Sequence, residues 1–242
     1  TTALVFTTVV ADGDTDSSDL SVSSYGGTIA DAAGGAAGAA SGDLGAVLID
    51  GDTPDMTGCS ATDAAYGVGE VITITCVYDE AVTVTGTPTV TLSNSDVASY
   101  SSGSTTTSIV FTTTVAQGDT TSSDLAVSSI QPTAGGATMK DANDNAIDST
   151  ITGGDLGTVT VDGAVPVFSS VAATDGTYNI GDTLTITVTW GEAVVVTGTP
   201  TLSLNNGDTA SYVSGSTTTA LVFTTVVADG DTDSSDLSVS SY

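Results

Sequence analysis

The chain repeats itself. Thr1 to Tyr25 reads TTALVFTTVVADGDTDSSDLSVSSY, and the same 25 letters recur as Thr218 to Tyr242. A third copy, TTSIVFTTTVAQGDTTSSDLAVSSI, spans Thr106 to Ile130 and keeps 18 of the 25 positions. Set against itself at an offset of 112, the chain aligns without a gap from Pro54/Pro166 to Thr107/Thr219. After the shared block the lengths diverge: Tyr25 to Asp50 is seven residues shorter than Ile130 to Asp162, a difference that belongs in a loop. Such a period divides 242 residues into small repeated units rather than one large core. The pieces are residues 1–52, the C-terminal part of a repeat; 53–164, a complete repeat; and 165–242, the N-terminal part of the next.

Within the repeat the local signals are β. In VITITCVY, Ile72, Ile74, Cys76 and Tyr78 share one face while Thr73 and Thr75 take the other. The later copy puts Leu184, Ile186, Val188 and Trp190 on the same face. Further strands are predicted at 56–62, 82–86, 88–93, 97–101, 107–115, 124–130 and 157–162, separated by Gly, Asp, Asn and Ser clusters. About eight short strands in roughly 110 residues, with no helical period, predict an all-β fold of tandem immunoglobulin-like β-sandwich repeats in series. The tract AGGAAGAASG (33–42) reads as a loose loop.

Twenty-nine acids face a single base, Lys140, for a formal charge of −28. Such a surface repels nucleic acid and anionic lipid and attracts cations. Acidity can accompany disorder, but 39% of the residues are hydrophobic and they alternate, which predicts a folded chain. No apolar run approaches the ~20 residues of a membrane span. No basic-then-apolar leader opens the sequence, so an export signal is expected outside it. With no histidine, the usual general base and Ser–His pairs are absent, and the chain is not expected to be an enzyme. Asp79 and Glu80 form a carboxylate pair, but the other copy has Gly191 before Glu192, so the pair reads as a turn with a retained Glu.

The blocks VTWGEAVVVTGTPTLSL, ASYVSGSTTTALVFTTVV, GDTDSSDL, GGTIADAAGG and VDGAVP carry a resemblance to the tandem repeats of very large bacterial surface proteins. These include bacterial Ig-like and cadherin-like arrays and the repeats of the cyanobacterial swimming-associated cell-surface proteins. The resemblance covers nearly the whole chain and implies an extracellular, cell-surface, tandem β-sandwich protein. It does not assign a molecular task, because such folds host many.

Cys59 aligns with Val171 and Cys76 with Val188. A Cys pair replacing a Val pair predicts neighbouring core positions and a disulfide, the alternative being two unlinked buried thiols. A bridge would fit an oxidising, extracellular setting. Calcium is suggested by three groups. DANDNAID places Asp141, Asn143 and Asn145 at alternate positions, as at the start of an oxygen-rich loop, and resembles the DxNDN linker of cadherins. It departs from an EF-hand, with Ala146 and Thr152 where Gly and Glu would stand; only Asp31 corresponds to Asp141 in the first copy. ADGDTDSSD offers Asp12, Asp14 and Asp16, and the middle copy keeps Asp119 and Asp124. Asp50 and Asp162 close the strand before each linker, and Glu80 and Glu192 recur near a strand end. Carboxylates gathered at a junction would bind Ca2+ and stiffen it, as in the arrays this chain resembles; the alternative is a solvated acidic face with Asp and Asn as turn residues.

The Ser/Thr-rich surface suits O-linked sugar, and no N-x-S/T sequon is present. The expected role is structural, a segment of a surface fibre, sheath or adhesin stalk whose partners are adjacent repeats of the same polymer or protein. The alternative is an adhesin module recognising glycan or a neighbouring cell surface. Loop aromatics would favour the latter, but aromatics are 5% of the chain and Tyr78, Trp190, Phe6 and Phe111 read as strand residues. A continuous polypeptide is favoured over strand donation between chains, because Thr1 to Tyr25 duplicates strands already present at 218–242. On that view the identical copies share one conformation, and two units in line predict an axial repeat of roughly 70–90 Å.

Overall fold

A computed structural model describes residues 3–241. It is all-β, with no α-helix among the described residues. The chain divides into two compact units, Thr1–Gly163 and Ala164–Tyr242.

The first unit is organised around Val71–Thr85. One edge of this strand pairs antiparallel with Thr106–Thr114, and the other with Met56–Ser60 and then Thr138–Lys140. The sheet continues from Thr106–Thr114 through Val97–Ser102 and Thr89–Leu92 to Val127–Gln131. A separate two-stranded ladder joins Val159–Asp162 to Ala64–Gly67 in parallel. Period-two patterning sets the core: Ile72, Ile74, Cys76 and Tyr78 are all buried, with Leu92, Ile109, Phe111, Leu125, Leu156, Val159 and Val161 packed in the same cluster. Tyr100 and Phe111 meet edge to face at 6.4 Å.

Two local expectations change. Asp79 and Glu80 are not in a turn; one strand runs from Val71 through them to Thr85. The register against the neighbouring strand shifts there, from Ser108↔Val77 to Thr106↔Val82, so an irregularity absorbs the break that Asp-Glu suggested. Ala64–Gly67 and Thr138–Lys140 are strands that the alternation rule does not find, because they are only four and three residues long, AAYG and TMK, too short to show a period of two.

In the second unit Thr183–Val194 pairs with Phe168–Ala173 and Thr218–Val226, and the sheet continues through Thr209–Ser214 and Thr201–Leu204 to Val239–Ser241. Leu184, Ile186, Val188, Leu202, Leu204, Leu221 and Phe223 form its core. Each of these strands has a counterpart in the first unit at the 112-residue offset.

Residues 3–52 contain short pairings of their own. Asp14–Ser17 lies against Ile49–Gly51, and Ser21–Val22 against Gly42–Asp43. Residues 3–10 are not in a strand, and Phe6 is 76% exposed, against the strand position predicted for it. Its counterpart in the identical sequence, Phe223, is 3% exposed within Thr218–Val226. The expectation of one conformation for both copies therefore fails.

Candidate functional site

The two cysteines are directly opposite each other across antiparallel strands, Cys59↔Cys76, with Cα atoms 4.0 Å apart, and they form a disulfide. The second unit pairs Val171↔Val188 in the same register. The repeat thus carries a cross-strand contact that is covalent in one unit and apolar in the other. Cys59 is 9% exposed but Val171 41%, a first sign that the second unit's face is less covered.

The predicted calcium ligands divide. Asp141 is buried and its carboxylate is already engaged: Oδ1 accepts the backbone N–H groups of Asn143 and Asn145, each at 2.8 Å, and Oδ2 accepts Asn145 Nδ2 at 2.8 Å. This is an Asx-type turn closing its own loop. Lys140 adds an ion pair to Asp144 at 3.0 Å. Asp31 makes the same turn in the first copy, accepting from Ala33 and Gly35. Asn143 donates through Nδ2 to Asp50 Oδ2, which ties the loop to the Ile49–Gly51 strand. Asp14 Oδ2 accepts the Ala11 N–H and Asp16 Oδ1 the Gly51 N–H. Asp12 Oδ1 accepts the Thr53 hydroxyl at 3.4 Å.

These contacts gather Asp12, Asp16, Asp50, Asn143 and Asn145 at one end of the first unit, around a cavity of about 340 Å3 bordered by Asp12, Asp50, Thr53, Asn143 and Asn145. Asp52, Asp55 and Asp79, which the sequence reading did not select, join them. The Asp16 charge, followed by burial and then Asp50, Asp12 and Asp79, raises the Asp52 carboxyl above its ordinary pKa. Burial first, then Asp141, Asp50, Asp79 and Asp52, raises Glu80. Asp55 is raised by burial and then by Asp79, Asp148, Asp12 and Asp52. The signal that could have found Asp52 and Asp55 is the continuation of the linker itself, DGDTPD, where they are close in sequence to Asp50; Asp79 is the neighbour of Glu80.

Asp162 ends the strand that pairs with Ala64–Gly67, opposite Gly67. Glu192 lies in Thr183–Val194 of the second unit, half-buried, its Oε1 shielded from solvent. Among the described residues, no group of three or more acidic side chains converges closely enough to hold a metal ion. Asp141 in particular serves its own loop. What the acidic end can do is concentrate cations in its field without a preformed cage. No helix among the described residues is long and apolar enough to cross a membrane.

No protein-family model matches the chain, and no curated protein matches it.

Proposed function

We propose that this chain is a structural segment of a long extracellular repeat protein, built as immunoglobulin-like β-sandwich units in series, that forms a surface fibre, sheath or adhesin stalk. The observation that carries this reading is the repetition of one β unit along the chain. Val71–Thr85 and Thr183–Val194 occupy equivalent places in their sheets, and the 25-residue block recurs with a period of 217 residues (218 minus 1). A disulfide inside the first unit supports an oxidising, extracellular location. The stress-bearing elements would be the antiparallel ladders, and the connections the short linkers DGDTP and DGAVP. The role is mechanical and uses no catalytic group.

Calcium belongs to the same proposal, at the acidic end of the first unit. Asp50, Asp52 and Glu80 lie in a field of like charges, which is the main cause of the raised pKa of Asp52 and adds to burial in raising that of Glu80, and a divalent ion would relieve that repulsion. Because the site has no closed ligand set, the ion would act by neutralising several carboxylates at once.

Electron microscopy of the native material tests the structural role. A thread of regular beads with an axial repeat of roughly 70–90 Å is expected for two units in line. Isolated compact particles would overturn it.

A further inference from the structure

The asparagines of the chain are followed by Ser95, Asp144, Ala146, Ile180, Asn206 and Gly207. Asn206 is therefore the one that precedes a glycine. It stands in the block NNGD, in the turn between the paired strands Thr201–Leu204 and Thr209–Ser214. The same turn of the first unit carries Asn94–Ser95, between Thr89–Leu92 and Val97–Ser102.

The two turns share one local geometry. Asn206 Oδ1 accepts the Asp208 N–H at 3.2 Å, and Asn206 Nδ2 donates to Asp208 Oδ2 at 2.6 Å. Asn94 makes the same two bonds with Asp96 at the same distances, and its Nδ2 also donates to Thr120 O at 3.4 Å. These partners fix the orientation of each amide, since a backbone N–H only donates and a carboxylate only accepts. The Gly207 N–H donates to Leu204 O at 3.1 Å, as the Ser95 N–H does to Leu92 O at 3.0 Å. Gly207 and Ser95 are both left-handed, with φ of +98° and +78°. The main difference is thus the side chain that follows the asparagine.

We infer that Asn206 is a self-modification site, converting through a cyclic imide to aspartate and isoaspartate while the chain stays folded. The Gly207 nitrogen loses its proton to solvent and attacks Asn206 Cγ, forming a C–N bond that closes a five-membered ring. Attack requires the Gly207 N–H to leave Leu204 O and the peptide to swing toward Cγ. Glycine permits that swing, having no Cβ and a wide choice of backbone conformations, whereas the Ser95 Cβ hinders it in the first unit. The oxygen that gains negative charge during attack is Oδ1, which already accepts the Asp208 N–H, so a donor is in place for it. The Cγ–Nδ2 bond then breaks and Nδ2 leaves as ammonia, its added proton balancing the one that Gly207 gave up. Asp208 Oδ2 is the group beside that leaving nitrogen. Water opens the ring at either carbonyl. One opening leaves aspartate at 206; the other routes the backbone through the former side chain and lengthens it by one carbon. Both products replace the Nδ2 donor with a carboxylate beside Asp208, so the turn of the second unit becomes more acidic while that of the first keeps its amide. This chemistry is independent of the structural role proposed above.

Incubation of the folded 242-residue chain at neutral to mildly alkaline pH, with circular dichroism to verify that it stays folded, tests the site. Cleavage after aromatic residues then releases residues 191–212, which hold Asn206, and residues 79–100, which hold Asn94. The first peptide is expected to gain the mass of one amide-to-acid exchange, as a mixture of aspartate and isoaspartate, at least about tenfold faster than the second, a ratio that a modest difference in barrier supplies. Gly207→Ser, which copies a residue that the first unit's turn already accepts, should lower the rate to that of Asn94. A synthetic peptide of residues 191–212 run alongside reports the same chemistry without the fold. An Asn206 that stays intact in the folded chain would overturn the inference, and conversion of the synthetic peptide under those conditions would show that the folded turn protects it. Equal rates at Asn94 and Asn206 would overturn it as well.

Discussion

Phe6 and Phe223 lie in the same ten-residue sequence, TTALVFTTVV, and differ completely in environment. Around Phe223 the segment is a strand held on one edge by Thr183–Val194 and on the other by Thr209–Ser214, and its ring meets Tyr212 edge to face at 5.8 Å. Around Phe6 no strand forms and Leu4, Val5, Phe6 and Val9 are exposed. The local sequence is constant, so the difference is the supply of partners: a strand is stabilised by neighbours on its edges and a second layer on its face. The two units repeat the lesson on a larger scale. Leu125 and Leu237 hold equivalent positions, one sealed beneath residues 154–161 and the other bordering an open cavity.

The largest effect should come from that pair. Leu125→Ala is expected to destabilise the first unit by about 2–5 kcal/mol, whereas Leu237→Ala should cost less than about 1 kcal/mol, as for partly exposed sites. Chemical denaturation of both variants measures the difference, and equal losses would mean that the second unit's face is covered in solution.

The disulfide gives the next contrast. Replacing both cysteines by valine, which copies the Val171/Val188 pair, should remove roughly 3 kcal/mol from the first unit and leave the second unit's transition in place. Intact mass should increase by about 2 Da on reduction of the parent chain. Two thiols alkylated in folded, unreduced protein would contradict the bridge.

The acidic end is predicted to set the pH dependence. Asp52, Asp55 and Glu80 have raised pKa values in the folded chain, so the folded state holds these protons longer than the unfolded state. Their contribution is therefore most favourable below the carboxylate range and falls as the pH rises through it to neutrality. Asp52→Asn should raise the melting temperature of the first unit slightly at about pH 7, where a charge repelled by Asp16 is removed, and change it less at about pH 3, where that charge is largely neutralised. Ca2+ should raise the same transition beyond a sodium chloride control of equal ionic strength, and Asp50→Asn should reduce that gain. Identical effects of the two salts would leave only screening.

The smallest effect concerns Tyr78, buried in the first unit with no hydrogen-bond partner for its hydroxyl among the described residues. Burial pushes its pKa up. Tyr78→Phe should stabilise that unit by about 1 kcal/mol, since an unpaired buried hydroxyl is removed without loss of the ring. A loss of stability would reveal a partner for the hydroxyl.

Much of this could be read from the letters alone. The alternation in VITITCVY placed Ile72, Ile74, Cys76 and Tyr78 on a buried face because side-chain period in a strand is a local property of the backbone. Comparing the repeats put Cys59 opposite Cys76, since a Val pair and a Cys pair can replace each other only where two side chains already meet. Other features needed the fold. Asp141 closes its own loop by accepting backbone N–H groups two and four residues on, a contact that the letters DANDN alone did not reveal. Asp79 and Asp141 reached the Asp50–Asp55 linker through segments distant in sequence that the fold brings to one place. Whether TTALVFTTVV became a strand was likewise beyond local reading. The sequence determined which positions alternate and which side chains are apolar, properties of each residue and its near neighbours. The tertiary structure decided which of those segments found an edge to pair with and a face to cover, because sheet hydrogen bonds and core burial depend on residues elsewhere in the chain.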